Sequence, residues 1–505
     1  MKKYISVLLA VILCFGAAFA ISAEAQEYVI TNPYENIDFD TINTYKTALH
    51  THTNASDGDP TLKESIERHV ETGFDIVATT DHGTTNYSWS YANPNELIHG
   101  VLSAVGKSEG ELVYLGDEGE FENGMAYTLV TAENGDDYLY VNGKTVMRVP
   151  YGIENNAVSV NAHVNSWFVD YCDNSITNYE DAIEAVEALG GVSVINHPGE
   201  YSKSRYEITD ADAYDTDEFC YWYQVNKWCD LLDKNDSCIG VDMNSKGDAR
   251  TRFDRKVWDI FLTRFSANGE NVYGICSSDA HNLNKIDTGF VLALMPEQTS
   301  EALKTSLSNG EFFGASHCIG SPKELREIAD AMKNLGLEND TYFSVLSTAD
   351  ALDAKSAAIA NGDEDADASL GITYSVLDDD GYTTVDTFPS VNDISVDGDT
   401  ITLSVSDAYI VRWISGGELV TTTTADNASF TVSDFAEETG DYVRAEVFGE
   451  GGILYTQAFL INADENKGTA AVVDEKYFNL GILDFLFCTI SNWIDVIVRF
   501  FTNLF

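Results

Sequence analysis

Residues 47–83 read TALHTHTNASDGDPTLKESIERHVETGFDIVATTDHG, and this stretch decides the fold. His50 and His52 stand two apart at the end of a predicted strand, Tyr45 to Leu49, so their side chains leave the same face. Two neutral imidazoles so placed can grip one divalent cation. Asp57 and Gly58 form a turn. Thr61 and Glu64 have capping-box spacing, Leu62, Ile66 and Val70 keep a helical period, and Gly73 ends the helix. Phe74 to Thr79 is nearly all apolar, as a strand buried on both faces would be. Asp81 and His82 follow its C-terminal end.

The same unit recurs down the chain. A helical stretch around Glu96 to Lys107 leads to a predicted strand, Glu111 to Leu115, and then Gly116-Asp117-Glu118. A helix from Glu180 to Leu189 leads to the strand Val192 to Ile195, then Asn196-His197-Pro198-Gly199. A helix from Arg255 to Phe265 leads to Val272 to Ile275, then Ser277-Ser278-Asp279-Ala280-His281. Alternating helices and strands imply a parallel sheet. In a parallel barrel the C-terminal strand ends share one rim, where active sites sit. Ligands scattered over more than two hundred residues would then meet in one pocket.

These motifs resemble the polymerase and histidinol phosphatase (PHP) family of metal-dependent phosphoesterases, over roughly residues 45 to 320. The resemblance rests on His50-x-His52, Ser56-Asp57-Gly58, Thr80-Asp81-His82, Gly116-x-Glu118, Asn196-His197-Pro198 and Ser278-Asp279-x-His281. It implies an α/β fold, a distorted seven-stranded (βα)7 relative of the TIM barrel, holding two or three divalent ions (Mn, Zn or Fe). By motif, one ion would use His50, His52, Glu118 and Asp279. Glu118 would bridge to a second ion, held also by His197. A third would use His82 and His281, with Asp57 where many members have His. Glu120 competes with Glu118 as the bridge. The family expects a further histidine between Glu118 and His197, and His163 is the candidate. Residues 128–158 alternate like a hairpin with Asn142-Gly143 turn chemistry and are read as an insertion.

Metal ions of this kind lower the pKa of bound water and bracket the attacking and leaving oxygens of a phosphoester. His281 or Asp81 could serve a leaving alkoxide, or Asp81 could orient a ligand from behind it. Phosphate clamps need cations near the rim. Arg250 and Arg252 are the first candidates, with Lys203, Arg205 and Lys246 beside them. Each is otherwise a surface charge. His69, His99 and His317 read as structural or solvent-facing.

Composition bounds the rest. The chain has 505 residues, enough for two or three domains. Its 29 basic and 82 acidic side chains leave a net charge of −53, a field that disfavours nucleic acid and anionic membranes as generic partners. The expected partner is a small-molecule ester, phosphorylated foremost. Lys2 and Lys3, the apolar run Ile5 to Ala20 and the small residues Ala23 and Ala25 have the order of a secretory signal peptide, residues 1–25, with cleavage at Ala20 as the alternative. The expected location is therefore secreted or cell-surface. Seven cysteines remain after that segment, none in CxxC spacing. The odd count favours free thiols over a full disulfide framework.

The resemblance implies a PHP-like hydrolase domain over residues 40–320. A helical and acidic connector is expected over 321–390 and a small β-sandwich over 391–465. The tail, 477–505, is apolar with Asp484, Asp495 and Arg499 interrupting it. It reads as an amphipathic helix on a membrane surface or folded back on the sandwich. Two functions stand open: an exported multi-metal hydrolase, most simply a phosphoesterase or else a carboxylic ester or carbamate hydrolase, and a non-catalytic barrel that only binds.

Overall fold

The structure is a computed structural model. It describes residues 28–505 apart from 93, 95–98, 101–102, 105, 107–109, 156–162, 173–178, 202–218, 245–250, 362–371, 464–469, 475–482 and most residues from 484 onward. The expected signal peptide lies outside the described residues, as do nearly all of the tail and more than half of the stretch Glu96 to Lys107. The chain is a mixed α/β protein.

The strands that concern the site are β1 (Asn43–Ala48), β2 (Ile76–Val77), β3 (Lys144–Arg148), β4 (Ile153–Asn155), β5 (His163–Trp167), β6 (Val192–Asn196), β7 (Cys238–Asn244) and β8 (Tyr273–Cys276). Their pairing closes on itself. β1 runs parallel to β2, and β2 parallel to β3. β3 continues into β4, which meets the residues after β2 through a parallel bridge, His82 to Glu154. β5 is antiparallel to both β4 and β6, and β6, β7 and β8 are parallel in turn. Past the ends of β8 and β1, a parallel bridge joins Ala280 to Thr51, and the His52 amide donates to the Ala280 carbonyl at 2.9 Å. Gly240 is needed for this closure: a Cβ there would lie 1.9 Å from the Tyr273 carbonyl oxygen on β8.

Apolar side chains drawn from around the circuit fill one buried cluster, including Leu49, Ile76, Met147, Trp167, Val194, Ile239 and Ile275. At about 25 cal/mol per Å² of apolar area, such burial is the main term holding the circuit together. The helix Leu62–Glu71 starts on the expected capping box, with Thr61 and Glu64 each satisfying the other's backbone amide. Tyr179–Leu189 and Thr251–Ser266 form where the periodicity places them.

Two local expectations fail. Glu111 to Leu115 is not a strand, and Val113 within it is 39% exposed. The meander instead runs Glu118–Glu120, Ala126–Thr131, Asp137–Val141 and then β3. The second error concerns the hairpin. Asn142 and Gly143 do make a tight turn, both with positive φ (49° and 75°). Its second strand is β3, a member of the circuit, because Met147 and Arg148 pair with β2. The inserted part therefore ends near residue 143, and residues 144–155 belong to the circuit rather than to the expected insertion at 128–158.

Beyond residue 316 come the helices Pro322–Asn334 and Asp340–Ala360, then short strands from Ser390–Asp397 to Phe459–Ile461. Ser390–Asp397, Thr400–Ser406 and Ser429–Thr431 form a three-stranded sheet of their own, whereas the remaining strands join the sheet of β1. Gly452–Tyr455 pairs with Phe312–Ser316, which pairs with Gly289–Met295, which pairs with β1. Buried charges tie the two parts together as well. Arg444 grips Asp259 of the helix Thr251–Ser266 with two hydrogen bonds (2.8 and 2.7 Å), and Arg412 reaches Glu324, Glu327 and Glu446. Among the described residues Cys229, Cys238, Cys276 and Cys318 are buried free thiols and Cys172 is exposed.

Candidate metal centre

The loops that leave the C-terminal ends of β1, β2 and β8, together with β4, β5 and the residue after β6, converge. His50 and His52 follow β1. Gly58 lets their loop fold back, since a Cβ there would meet the His52 backbone at 2.7 Å. That fold sets Asp57 beside His52 and His281. His82 follows β2, Glu154 is on β4, His163 opens β5, His197 follows β6, and Asp279 and His281 follow β8. His197 and Asp279 both adopt positive φ (27° and 44°). Such backbone costs on the order of 1–3 kcal/mol for non-glycine residues and collects at functional sites.

Three overlapping donor groups result: His50, His52, Glu154 and Asp279; His52, Asp57, His82 and His281; and His82, Glu154 and His163. The first is wholly buried. The side chains of His281 and Asp57 are 31% and 21% exposed and form the open face.

The structure corrects the bridge. Glu118 and Glu120 lie exposed on the meander strand Glu118–Glu120, and neither belongs to a donor group. Glu154 stands among the donors instead. Its Oε2 lies 3.3 Å from His50 Nε2, 3.1 Å from His52 Nε2 and 3.3 Å from His82 Nδ1. Its Oε1 lies 3.2 Å from His163 Nδ1 and 3.1 Å from His197 Nε2, and accepts a 2.7 Å bond from Asn196. Sequence reasoning missed Glu154 because it assigned the whole 128–158 stretch to an inserted hairpin. One signal was present: Glu154 closes an apolar run and precedes His163 by nine positions.

The donor set fits a cation. A tetrahedral ion with bonds of about 2.0–2.1 Å has ligand–ligand edges of about 3.3 Å. In the buried group His50 Nε2 and His52 Nε2 are 3.2 Å apart. His50 Nε2 to Glu154 Oε2 is 3.3 Å and to Asp279 Oδ1 3.2 Å, while His52 Nε2 lies 3.1 Å from each of those oxygens. Five edges of one tetrahedron therefore have metal-site length. Two imidazole nitrogens facing each other at that distance make sense around a shared positive charge.

The electrostatics agree. Burial opposes charge on His50, yet the carboxylates of Asp279 and Glu154 raise it to about 9. Burial opposes ionisation of Glu154, but the surrounding histidines, His50 first, hold it well below the usual carboxylate range. Asp57 is held down in the same way by His82 and His281, again against burial. At His82 burial dominates and lowers it to about 3, leaving a neutral ring with lone pairs to offer. The pocket thus attracts positive charge of any kind.

Behind the donors stands a supporting layer. Asp81 accepts 2.7 Å hydrogen bonds from the Thr53 amide, the Thr53 hydroxyl and the Ser56 hydroxyl, and Ser56 Oγ is 3.3 Å from His52 Nδ1. Asp81 therefore touches the donors through Ser56, as a ligand-orienting carboxylate does. His281 donates from Nδ1 to the Asp279 carbonyl at 2.9 Å, which turns Nε2 toward Asp57 at 3.3 Å.

Arg250 and the side chain of Arg252 lie outside the described residues, as do Lys203, Arg205 and Lys246. His69 and His317 are buried away from the donors. His69 donates from Nδ1 to the Ser65 carbonyl at 2.7 Å, and His317 donates from Nδ1 to the Gly451 carbonyl at 2.6 Å.

No family model matches the chain, and no curated protein matches it. Among solved structures it is similar to a two-domain protein from Bacteroides vulgatus ATCC 8482 described as containing a predicted PHP-like metal-dependent phosphoesterase. Identity is 12%, TM-score 0.33, and the match covers 84% of this chain and 88% of that one. It is also similar to PsfC from Pseudomonas syringae PB-5123 (13%, TM-score 0.29, 52% and 87%). A third is the lesion-specific endonuclease PfuEndoQ from Pyrococcus furiosus (12%, TM-score 0.29, 53% and 56%). Likenesses this distant accompany the site without carrying it; the donor set carries the reading of the chemistry.

Proposed function

We propose that the chain is a metal-dependent hydrolase of the PHP type that opens ester bonds, phosphoesters foremost. The observation that carries this is the buried tetrahedral donor group, joined through Glu154 to His163 and His197. In this reading the closed circuit of strands, with β3 and β4 as one interrupted strand, is the distorted seven-stranded barrel, and the partly exposed side chains of Asp57 and His281 mark where substrate enters.

Divalent ions in such a site supply activated water and a clamp for phosphate oxygens. The protein's own residues do the rest. His50, His52, Glu154 and Asp279 hold the inner position, and His163 and His197 the far side of Glu154. Asp81 fixes His52 through Ser56. His281 Nε2, at the open face, either joins Asp57 and His82 on an outer ion or, with that position empty, protonates a departing alkoxide. An ion cluster also reverses, locally, the field of a chain with net charge −53, so that an anionic ester can approach.

The test uses purified full-length chain, stripped and reloaded with Mn²⁺, Zn²⁺ or Fe²⁺. It is assayed on an aryl phosphate, a phosphodiester, DNA and a carboxylic ester, because neighbours in the comparison include both a phosphoesterase and an endonuclease. Two or more ions per chain and turnover on a phosphoester are expected, with His52→Ala inactive but folded. Zero stoichiometry after reloading would overturn the reading.

We also propose export through residues 1–25 and contact of the tail with a membrane surface. The order of charges and apolar residues at the N-terminus supports the first. Leu483, Leu486, Ile490 and Ile494, helical and exposed at steps of three and four, support the second. Among the described residues no helix is long and apolar enough to cross a membrane. Cell fractionation with and without residues 477–505 checks both.

A further inference from the structure

We infer that Asp242, acting with Ser277, is a positioning carboxylate for His50, a role that rests on the metal-site reading above. Asp242 lies on β7 and is 1% exposed. Ser277 donates its hydroxyl hydrogen to Asp242 Oδ2. His50 Nδ1 faces both groups, 3.6 Å from Asp242 Oδ2 and 3.5 Å from Ser277 Oγ. The strand register explains the meeting. Asp242 pairs with Ile275 on β8, so Ser277 rises two residues further on the same face. The Ser278 hydroxyl meanwhile donates to the His50 carbonyl at 3.1 Å and pins the backbone of that residue.

The chemistry of His50 requires such a partner. Its Nε2 is one corner of the donor tetrahedron and must be bare to hold an ion, so the ring proton sits on Nδ1. A donor N–H buried in this way needs an acceptor, and a carboxylate both fixes the tautomer and strengthens the ligand. The converse argument comes from Asp242. Its Oδ1 has no hydrogen-bond partner, and among the described residues its ion-pair partner is His50, with no lysine or arginine. A carboxylate so isolated is expensive to bury. It becomes favourable once an ion sits on the far side of the imidazole. Asp242 therefore contributes through metal affinity, by holding the His50 ring for the ion.

The experiment compares full-length wild type with Asp242→Asn by Zn²⁺ and Mn²⁺ titration against a competing chelator, and by thermal melting of both stripped proteins. The variant is expected to bind its tightest ion about 10- to 100-fold more weakly. Its ion count at saturation stays equal to that of wild type. Ser277→Ala shifts affinity in the same direction by less, and it carries the test should Asp242→Asn fail to fold. Wild-type affinity in both variants, or a lower metal-free melting temperature with affinity unchanged, would reduce Asp242 to a structural residue while leaving the hydrolase reading intact. Absence of metal from the wild type would overturn both.

Discussion

Glu154 and His197 stand 43 positions apart in sequence, yet their Oε1 and Nε2 atoms lie 3.1 Å apart at the centre of the donor cluster. No carboxylate oxygen of Glu118 comes near that point. Two isosteric substitutions separate the candidates. Glu154→Gln removes the charge that His50, His52, His82, His163 and His197 share. The expected loss of metal affinity exceeds the roughly 10- to 100-fold that an outer partner contributes. Glu118→Gln, on an exposed hairpin, leaves affinity and turnover at wild-type values. Metal titration and phosphoester kinetics on both variants check this; equal damage from the two would restore Glu118.

The contrast marks how far the sequence could be read. His50-x-His52, Asp81-His82, Asn196-His197 and Asp279-x-His281 were legible because each pair is local, ends a predicted strand and needs no knowledge of the rest. His163 was legible only through the family resemblance, which asks for one more histidine before His197. Glu154 was not, because it depends on where a hairpin returns to the sheet. The turn Asn142-Gly143 is readable from its residues, but whether the strand after it pairs with β2 is a tertiary fact: Ile76 and Val77 select Met147 and Arg148 as partners. The contribution of Asp242 was hidden for a similar reason. A lone acid in an apolar strand announces nothing until β8 brings Ser277 and the loop after β1 brings His50 to it.

Asp57 is the acid among three histidines on the exposed side of the site. Its Oδ2 is 3.3 Å from His281 Nε2, and its Oδ1 is 3.5 Å from His52 Nδ1 and 3.8 Å from His82 Nε2. Asp57→Asn keeps the shape and removes the charge that binds this group together. The outermost ion is expected to leave first, lowering the count by one per chain, while the group around Glu154 stays loaded. Elemental analysis after dialysis measures it. A variant that loses every ion would show the positions to be one cooperative cluster.

His69 gives a pH dependence that is separate from the metal site. It is buried, and burial with the nearby Lys46 charge lowers it to about 4, against the Ser65 carbonyl that favours protonation. The unfolded chain, with a histidine near 6.5, binds the proton first as pH falls. Stability from this residue is therefore complete above about pH 6.5 and drains away between about 6.5 and 4, reaching about 2 kcal/mol at pH 5. His69→Asn keeps a donor for Ser65 and cannot titrate. Urea midpoints of stripped wild type and variant at pH 7.5 and 5 are expected to converge as the pH drops. Parallel changes in the two proteins would remove His69 as the cause.

Arg444 tests whether the C-terminal strands are part of the body that holds the donor cluster or an appendage. Its guanidinium is buried and holds both oxygens of Asp259 as well as Glu446, and the Tyr442 hydroxyl adds a 2.8 Å bond to Asp259. Removing one partner of a buried pair strands the other charges, at a cost of about 3–5 kcal/mol. Arg444→Met is therefore expected to lower the unfolding midpoint of the whole chain. The reason is topological: the sheet runs without a break from Gly452–Tyr455 through Phe312–Ser316 and Gly289–Met295 to β1, which ends at the first two metal-competent histidines. One cooperative calorimetric transition, shifted down, with metal released in the same step, is the expected result. A small early transition that leaves the metal bound would show instead that the C-terminal strands melt alone.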